Sequence, residues 1–499
     1  MKYQTLLNRV YEIHDLRKAV RVLTWDREVV MPKGGDEDRN QQITTLQRLC
    51  HTLYTSDEMG ELIEAASVEL NGASYRSSEA SLIRFLRRDY ARARRLPADF
   101  ISRSTSINGE ATAAWKKARE DDDFALFRPW LEKVLDINRE KAEFLGFEDD
   151  PYDALLESHE PGAKTSDIKA IFDSTKSALI PLYDAVLQHS MRVDDRILRQ
   201  SFNIKSQALF GRYLATTIGY DFNRGHLATS VHPFSTSLSR NDVRITTRYS
   251  PDYLSPGIFA TLHEAGHALY VQNVHQSLTR TPLAKETSAA LDESQSRLIE
   301  NMVGRSKGFW QIHLPKLQEL FPNQLGDVSV SQFYRAINKV QPSFIRVEAD
   351  ELTYNLHIIL RFELERKLIN GELKAVDVPA AWNDKMSELL GIVPATDRDG
   401  CLQDIHWTLV GFGYFPTYAL GNLYAAQFLK AAQTHEPSIA DDLEEGRTES
   451  LLDWLRTNIH QHGRKFTPSE IVENATGAPL NQDDFINYAV NKFSEVYGL

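Results

Sequence analysis

Apolar positions recur at helical spacing from the start of the chain. Leu6, Leu7, Val10, Ile13, Leu16, Val20 and Leu23 follow one another at intervals of one, three or four, which places them on one stripe of a helix. Similar stripes run through residues 78–147, 165–190, 205–219, 257–276, 283–304, 331–370 and 420–434. The clearest strand signal is Val243 to Tyr249, where Val243, Ile245, Thr247 and Tyr249 alternate with polar neighbours. The pattern predicts a mainly α protein with one small β element near residues 242–249. Turn-forming residues cluster at 31–35, 160–162 and 391–400, yet no Gly/Ser-rich linker or internal repeat divides the chain. One unit over 1–499 is expected, with a helical N-terminal lobe of about 1–225 and a second lobe of about 226–499.

Composition narrows the class. The chain has 499 residues, 42% hydrophobic and 25% charged, which is ordinary globular composition with ample material for a core. Disordered, collagen-like and disulfide-scaffold chains are excluded. Lys and Arg total 57 against 69 Asp and Glu, a formal charge of −12, so a nucleic-acid-coating surface is not expected. Cys50 and Cys401 are the two cysteines and form no Cys-x-x-Cys pair, which points to a reducing compartment. The first twenty residues carry charges throughout and lack a secretory apolar core. No run of about 18 uncharged apolar residues is present, so no transmembrane helix is expected. The expected location is the cytoplasm.

Chemistry enters at His263-Glu264-Ala265-Gly266-His267, inside a segment long enough for a helix. Two histidines at i and i+4 share one helical face and can reach a single ion, and the intervening Glu264 stands beside the open coordination position, where it can take a proton from water. A catalytic zinc wants three protein ligands. The metzincin spacing is absent, because Tyr270 and Asn273 stand where that pattern needs Gly and His. His275 lies about 12 Å further along the helix and cannot share the ion. An acid on a second helix, within 285–301, remains: Asp292, Glu293 and Glu300 are all open on spacing.

These residues join others in a fixed order: Tyr152-Asp153-Ala154-Leu155-Leu156, His232-Pro233-Phe234, Asp242-Val243-Arg244-Ile245-Thr246, Glu293-Ser294-Gln295, Ile345-Arg346-Val347-Glu348-Ala349-Asp350, and Gly400 to Trp407 with Gln403-Asp404-Ile405-His406. Gly413 to Tyr424 and His462-Gly463-Arg464 extend the series. Together they resemble the thermostable carboxypeptidase family of metallocarboxypeptidases, metallopeptidase family 32, across essentially the whole chain. The resemblance implies a mostly helical fold with a deep groove, a divalent metal, a homodimer, and release of single residues from the C-terminus of peptides. It implies His263, His267 and Glu293 as metal ligands and Glu264 as general base. Asp292 departs from the family pattern, which usually has His before the ligand Glu.

The remaining motif residues have physical roles open to them. A free α-carboxylate suits the planar fork of an arginine. Arg346 is the first candidate for that anchor, with Arg244 and Arg248 behind it. His406 and Tyr414 are candidates to stabilise the oxyanion of the tetrahedral intermediate. Zn2+ is the expected metal, with Co2+ as an alternative. The competing enzyme reading is a zinc oligopeptidase or peptidyl dipeptidase. A non-catalytic peptide-binding scaffold is disfavoured by Glu264, since a structural zinc site needs no base.

Overall fold

The computed structural model of the protein describes residues 1–409 and 411–499. It is mainly helical, as the apolar periodicity predicts. Helix α1 (Lys2–Val29) keeps the predicted stripe, but only its first half is core: Leu6, Val10 and Ile13 are buried, while Leu16, Val20 and Leu23 are half-buried. The second half runs beside a cavity. Lys18 Nζ donates to the Ser237 carbonyl at 2.7 Å and Arg21 lines the cavity wall. Helix α2 (Ser78–Arg95) starts at Ser77, whose hydroxyl accepts from Ala80 N, and ends in Arg92, Arg94 and Arg95, cations that suit the helix C-terminus.

Three strands form where the sequence predicts one. They are β1 (Gly225–Thr229), β2 (Ser235–Ser239) and β3 (Asp242–Thr247), in the order β1-β3-β2, with β1 parallel and β2 antiparallel to β3. β1 and β2 read Gly-His-Leu-Ala-Thr and Ser-Thr-Ser-Leu-Ser, too short and too polar to carry an alternating signal. β3 is central, so Thr246 and Thr247 are buried along with Val243 and Ile245, and the strand is less exposed than alternation predicts. Tyr249 lies beyond its end.

Helix α3 (Ser255–Gln272) has Pro256 in its first turn and is buried on nearly every face. Helix α4 (Ala289–Arg297) begins at Ser288, whose hydroxyl accepts from Leu291 N at 3.1 Å, and runs into a π-helical turn at Leu298–Val303. Such turns commonly occur at functional sites. Helices α5 (Glu351–Ile369) and α6 (Pro416–His435) complete the packing around α4. Two glycines permit the close approach. A Cβ on Gly266 would fall 2.6 Å from the Gln295 carbonyl oxygen, and one on Gly421 would fall 2.6 Å from Glu293 Cγ. With hydrogen at both positions, α3 and α6 close on α4 from two sides. Buried apolar side chains form one continuous cluster from Leu6 to Tyr497. Among the described residues, no helix is long and apolar enough to cross a membrane.

Candidate active site

His263 and His267 stand one turn apart on α3 with their Nε2 atoms 3.2 Å from each other. Glu293 on α4 turns its Oε2 toward both, 3.7 Å from His263 Nε2 and 3.5 Å from His267 Nε2. One ligand atom from each residue lies within 4.8 Å of the others. Of the three acids open on spacing, Glu293 faces both Nε2 atoms and the other two stand behind the rings. Glu300 Oε2 is 2.9 Å from His263 Nδ1, and Asp292 Oδ1 is 3.0 Å from His267 Nδ1. The Asp292 contact is a close approach of charge rather than an aligned hydrogen bond. Two imidazole nitrogens and one carboxylate oxygen facing a common centre, each imidazole backed by an outer carboxylate, fit a divalent metal with positions left open.

The acids are held ready for such an ion. Burial alone would raise the Glu293 carboxyl, but Arg297 and the two imidazoles overcome it and keep the group well below the usual carboxylate range. Arg297 Nε donates to Glu293 Oε1 at 2.6 Å and its Nη1 donates to Glu300 Oε2 at 3.2 Å, so one guanidinium aligns both acids. The i,i+4 spacing from Glu293 to Arg297 was the available sequence signal for this residue. Glu264 is 6% exposed and lines the same cavity as the ligand cluster. Burial pushes its carboxyl up, against the opposing effect of the two histidines.

His263, Glu264, His267, Asp292 and Glu293 line a cavity of about 720 Å³. Tyr414, Thr417 and Tyr418 close one side. Tyr414 packs edge-on against His159 at 5.1 Å and Tyr418 at 5.2 Å between ring centroids. His406 stands behind this wall: it is absent from the cavity lining, and its Nε2 lies 3.2 Å from the Tyr418 hydroxyl. Burial lowers its pKa to about 4, so the ring is neutral near pH 7. The sequence reading did not identify His159, which lines the cavity with a buried, unpartnered Nε2. No spacing or motif signal set it apart from an ordinary packed histidine.

The loop bearing Tyr414 has a buried support. Glu365 on α5 accepts from the Tyr152 hydroxyl at 2.6 Å, Trp407 Nε1 at 2.9 Å and Gly413 N at 3.1 Å. Its carboxyl is raised by burial to about 7.

The three candidate arginines, Arg346, Arg244 and Arg248, lie off the cavity wall. Arg346 is 5% exposed and committed inward, with Nη2 2.8 Å from Asp404 Oδ1 and Nη1 donating to the Tyr354 hydroxyl at 3.0 Å. Arg361 shares the same Asp404 at 2.6 Å. Two guanidiniums face one carboxylate, and Arg346 lies 5.0 Å from the Tyr418 ring centroid. Arg244, expected near substrate, instead pairs with Asp242 at 2.9 Å and stacks on Trp25 at 4.5 Å. Its neighbour two residues back supplied the carboxylate that occupies it. Arg248 follows β3 and is exposed.

Comparison with known proteins places this site in context. The family model described as Carboxypeptidase Taq (M32) metallopeptidase matches residues 5–493. The chain is 39% identical to Carboxypeptidase 1 of Bacillus subtilis over 480 residues, covering 96% of this chain and 95% of that protein. It is 40% identical to Thermostable carboxypeptidase 1 of Thermus thermophilus over 505 residues, covering 99% of each. The crystal structure of M32 carboxypeptidase from Deinococcus radiodurans R1 superposes with a TM-score of 0.97 at 38% identity, covering 100% of both chains.

Proposed function

The chain belongs to the carboxypeptidase Taq (M32) metallopeptidase family and is a metal-dependent carboxypeptidase, and from that premise we propose how its own residues divide the work. The observation that carries the reading is the convergence of His263, His267 and Glu293 beside Glu264 on one wall of a cavity. His263, His267 and Glu293 would hold the ion. Zn2+ suits two imidazoles and a carboxylate, and Co2+ is the alternative. When bound, the ion supplies Lewis acidity for the scissile carbonyl and for water.

Glu264 is the general base. Its raised carboxyl accepts a proton from water and returns it to the leaving amine, chemistry that wants a pKa near the working pH. The Tyr414 hydroxyl donates to the oxyanion from the closed side of the cavity. His406 acts on that side through Tyr418, whose hydroxyl it meets. Arg346 supplies attraction for the terminal carboxylate. Two guanidiniums against Asp404 leave a net positive charge behind Tyr418, in a low-dielectric setting where it is poorly screened. The cavity has lining residues on both sides of residue 225, which supports reading the two lobes as the two walls of the groove. Two unpaired cysteines, both buried, support a reducing compartment such as the cytoplasm. A homodimer follows from the family resemblance and is checked by light scattering.

The test offers one peptide with a free C-terminus and as its C-terminal amide, with metal supplied, and follows product masses over time. Stepwise loss of single residues from the free form alone is expected. Dipeptides or internal fragments from either form would replace this reading with an oligopeptidase or peptidyl dipeptidase.

A further inference from the structure

The wall facing the metal site is cationic in an acidic protein. Outside the metal cluster, the cavity is lined by five cations (Arg21, Arg88, Arg92, Lys285 and Arg464) against the three carboxylates of Asp89, Glu157 and Glu286, while the whole chain carries −12. The arginines are also unusual in their partners. Among the described residues, none of the four makes an ion pair. Arg88 lies 5.9 Å from the Phe85 ring centroid, Arg92 reaches the Ala154 carbonyl and Ser158 hydroxyl at 3.4 Å each, and Arg464 donates to the Glu286 carbonyl at 2.5 Å. Asp89 and Glu157 are engaged elsewhere, with the Tyr54 hydroxyl at 2.5 Å and Gly162 N at 2.6 Å. The crowding is felt by Lys18, whose ammonium is lowered to about 7 by burial first, with Arg21, Lys285 and Arg464 adding to it.

We propose that Arg21, Arg88, Arg92 and Arg464 form a recognition surface for carboxylate side chains of the peptide substrate, at positions upstream of the residue released. The proposal rests on the carboxypeptidase reading above. The scissile bond must sit beside Glu264 and Glu293, which are 6% and 5% exposed. The rest of the peptide leads outward from that buried end. Arg21 and Arg88, both exposed on α1 and α2, meet this outgoing part. A guanidinium without a carboxylate partner is free to pair with an incoming carboxylate, and a cluster of them raises the local concentration of acidic ligands. The released residue's own carboxylate belongs to the other end, where the excess charge of Arg346 and Arg361 lies behind Tyr418.

The experiment uses the metal-loaded full chain and matched peptides that differ by Glu or Gln at successive positions upstream of the released residue. The wild-type protein is expected to favour Glu in kcat/KM by about 5-fold at one or more of these positions, the scale of a single charge pair near a surface, with the preference shrinking as NaCl is raised. In the double variant Arg21→Glu, Arg88→Glu the Glu-to-Gln ratio should fall to one or invert. The ratio is taken within each protein, so a loss of folded material cancels. Wild-type cleavage with equal rates for Glu and Gln would overturn the proposal and leave the carboxypeptidase reading standing. A ratio unchanged in the double variant would also overturn it. A preference confined to the released residue itself would move the acidic recognition to the Arg346 end. No release of single residues from an N-blocked dipeptide or from any longer peptide would instead sink the carboxypeptidase reading beneath it.

Discussion

The two walls of the cavity are built by opposite rules. On the metal wall, α3 is buried on nearly every face, Gly266 and Gly421 let backbones touch, and the ligand residues are held by charged partners: Arg297 for Glu293 and Glu300, Glu300 for His263. On the facing wall, Arg21 of α1 and Arg88 of α2 are exposed, Arg92 of α2 is half-buried, and all three lack ion-pair partners among the described residues. Chemistry requires groups held in advance of the substrate, and the metal wall holds Glu293 and His263 by fixed charged partners. Recognition of varied peptides requires groups left unsatisfied until the substrate arrives. An arginine is therefore informative here through its partners: Arg244 is paired with Asp242 and stacked on Trp25, whereas Arg88 has no carboxylate partner among the described residues.

Substitutions on the metal wall should break this contrast most severely. Glu264→Gln is expected to lower kcat by about 1,000-fold while metal content, measured by atomic absorption, stays at the wild-type level. Retained activity would remove Glu264 as the base. The Glu365 support behind that wall should show as pH-dependent stability. Its carboxyl ordinarily titrates near 4.5 and in the fold near 7, so the folded state holds an extra proton between those values. Its stabilisation is fully present below 4.5 and fades as pH rises to 7, by roughly 3 kcal/mol. Denaturant titrations of Glu365→Gln should lack this part of the decline, and parallel curves for the two proteins would refute the assignment.

Smaller effects sharpen the comparison. Glu300→Gln should weaken metal affinity about 10- to 100-fold in competition with a chelator, because His263 loses its outer carboxylate. At the low end, Arg244→Ala is expected to cost about 0.5 kcal/mol in thermal stability and to change kcat/KM by less than about twofold. A large rise in KM would restore Arg244 to the substrate site.

Legibility in the sequence followed the range of the physics involved. Helices announced themselves because a stripe of apolar positions is a local property of the chain, and β3 did so because Val243 and Ile245 alternate. The histidine pair and Glu264 were legible for the same reason, since one turn of one helix carries all three. β1 and β2 were not, because short polar strands are stabilised by the partner they pair with. Nor was His159, whose place on the cavity wall depends on α6 and the Tyr414 loop arriving from far along the chain.

By itself, the sequence determined the mainly helical class, the two histidines one turn apart with Glu264 between them, and the family resemblance. Only the tertiary structure decided that Glu293 turns to both Nε2 atoms while Asp292 and Glu300 stand behind the rings, that Arg346 faces Asp404, and that arginines of α1 and α2 without carboxylate partners line the same cavity. These are contacts between segments tens to hundreds of residues apart. Their geometry is set by helix packing, including the absence of a Cβ at Gly266 and Gly421, and not by any local spacing.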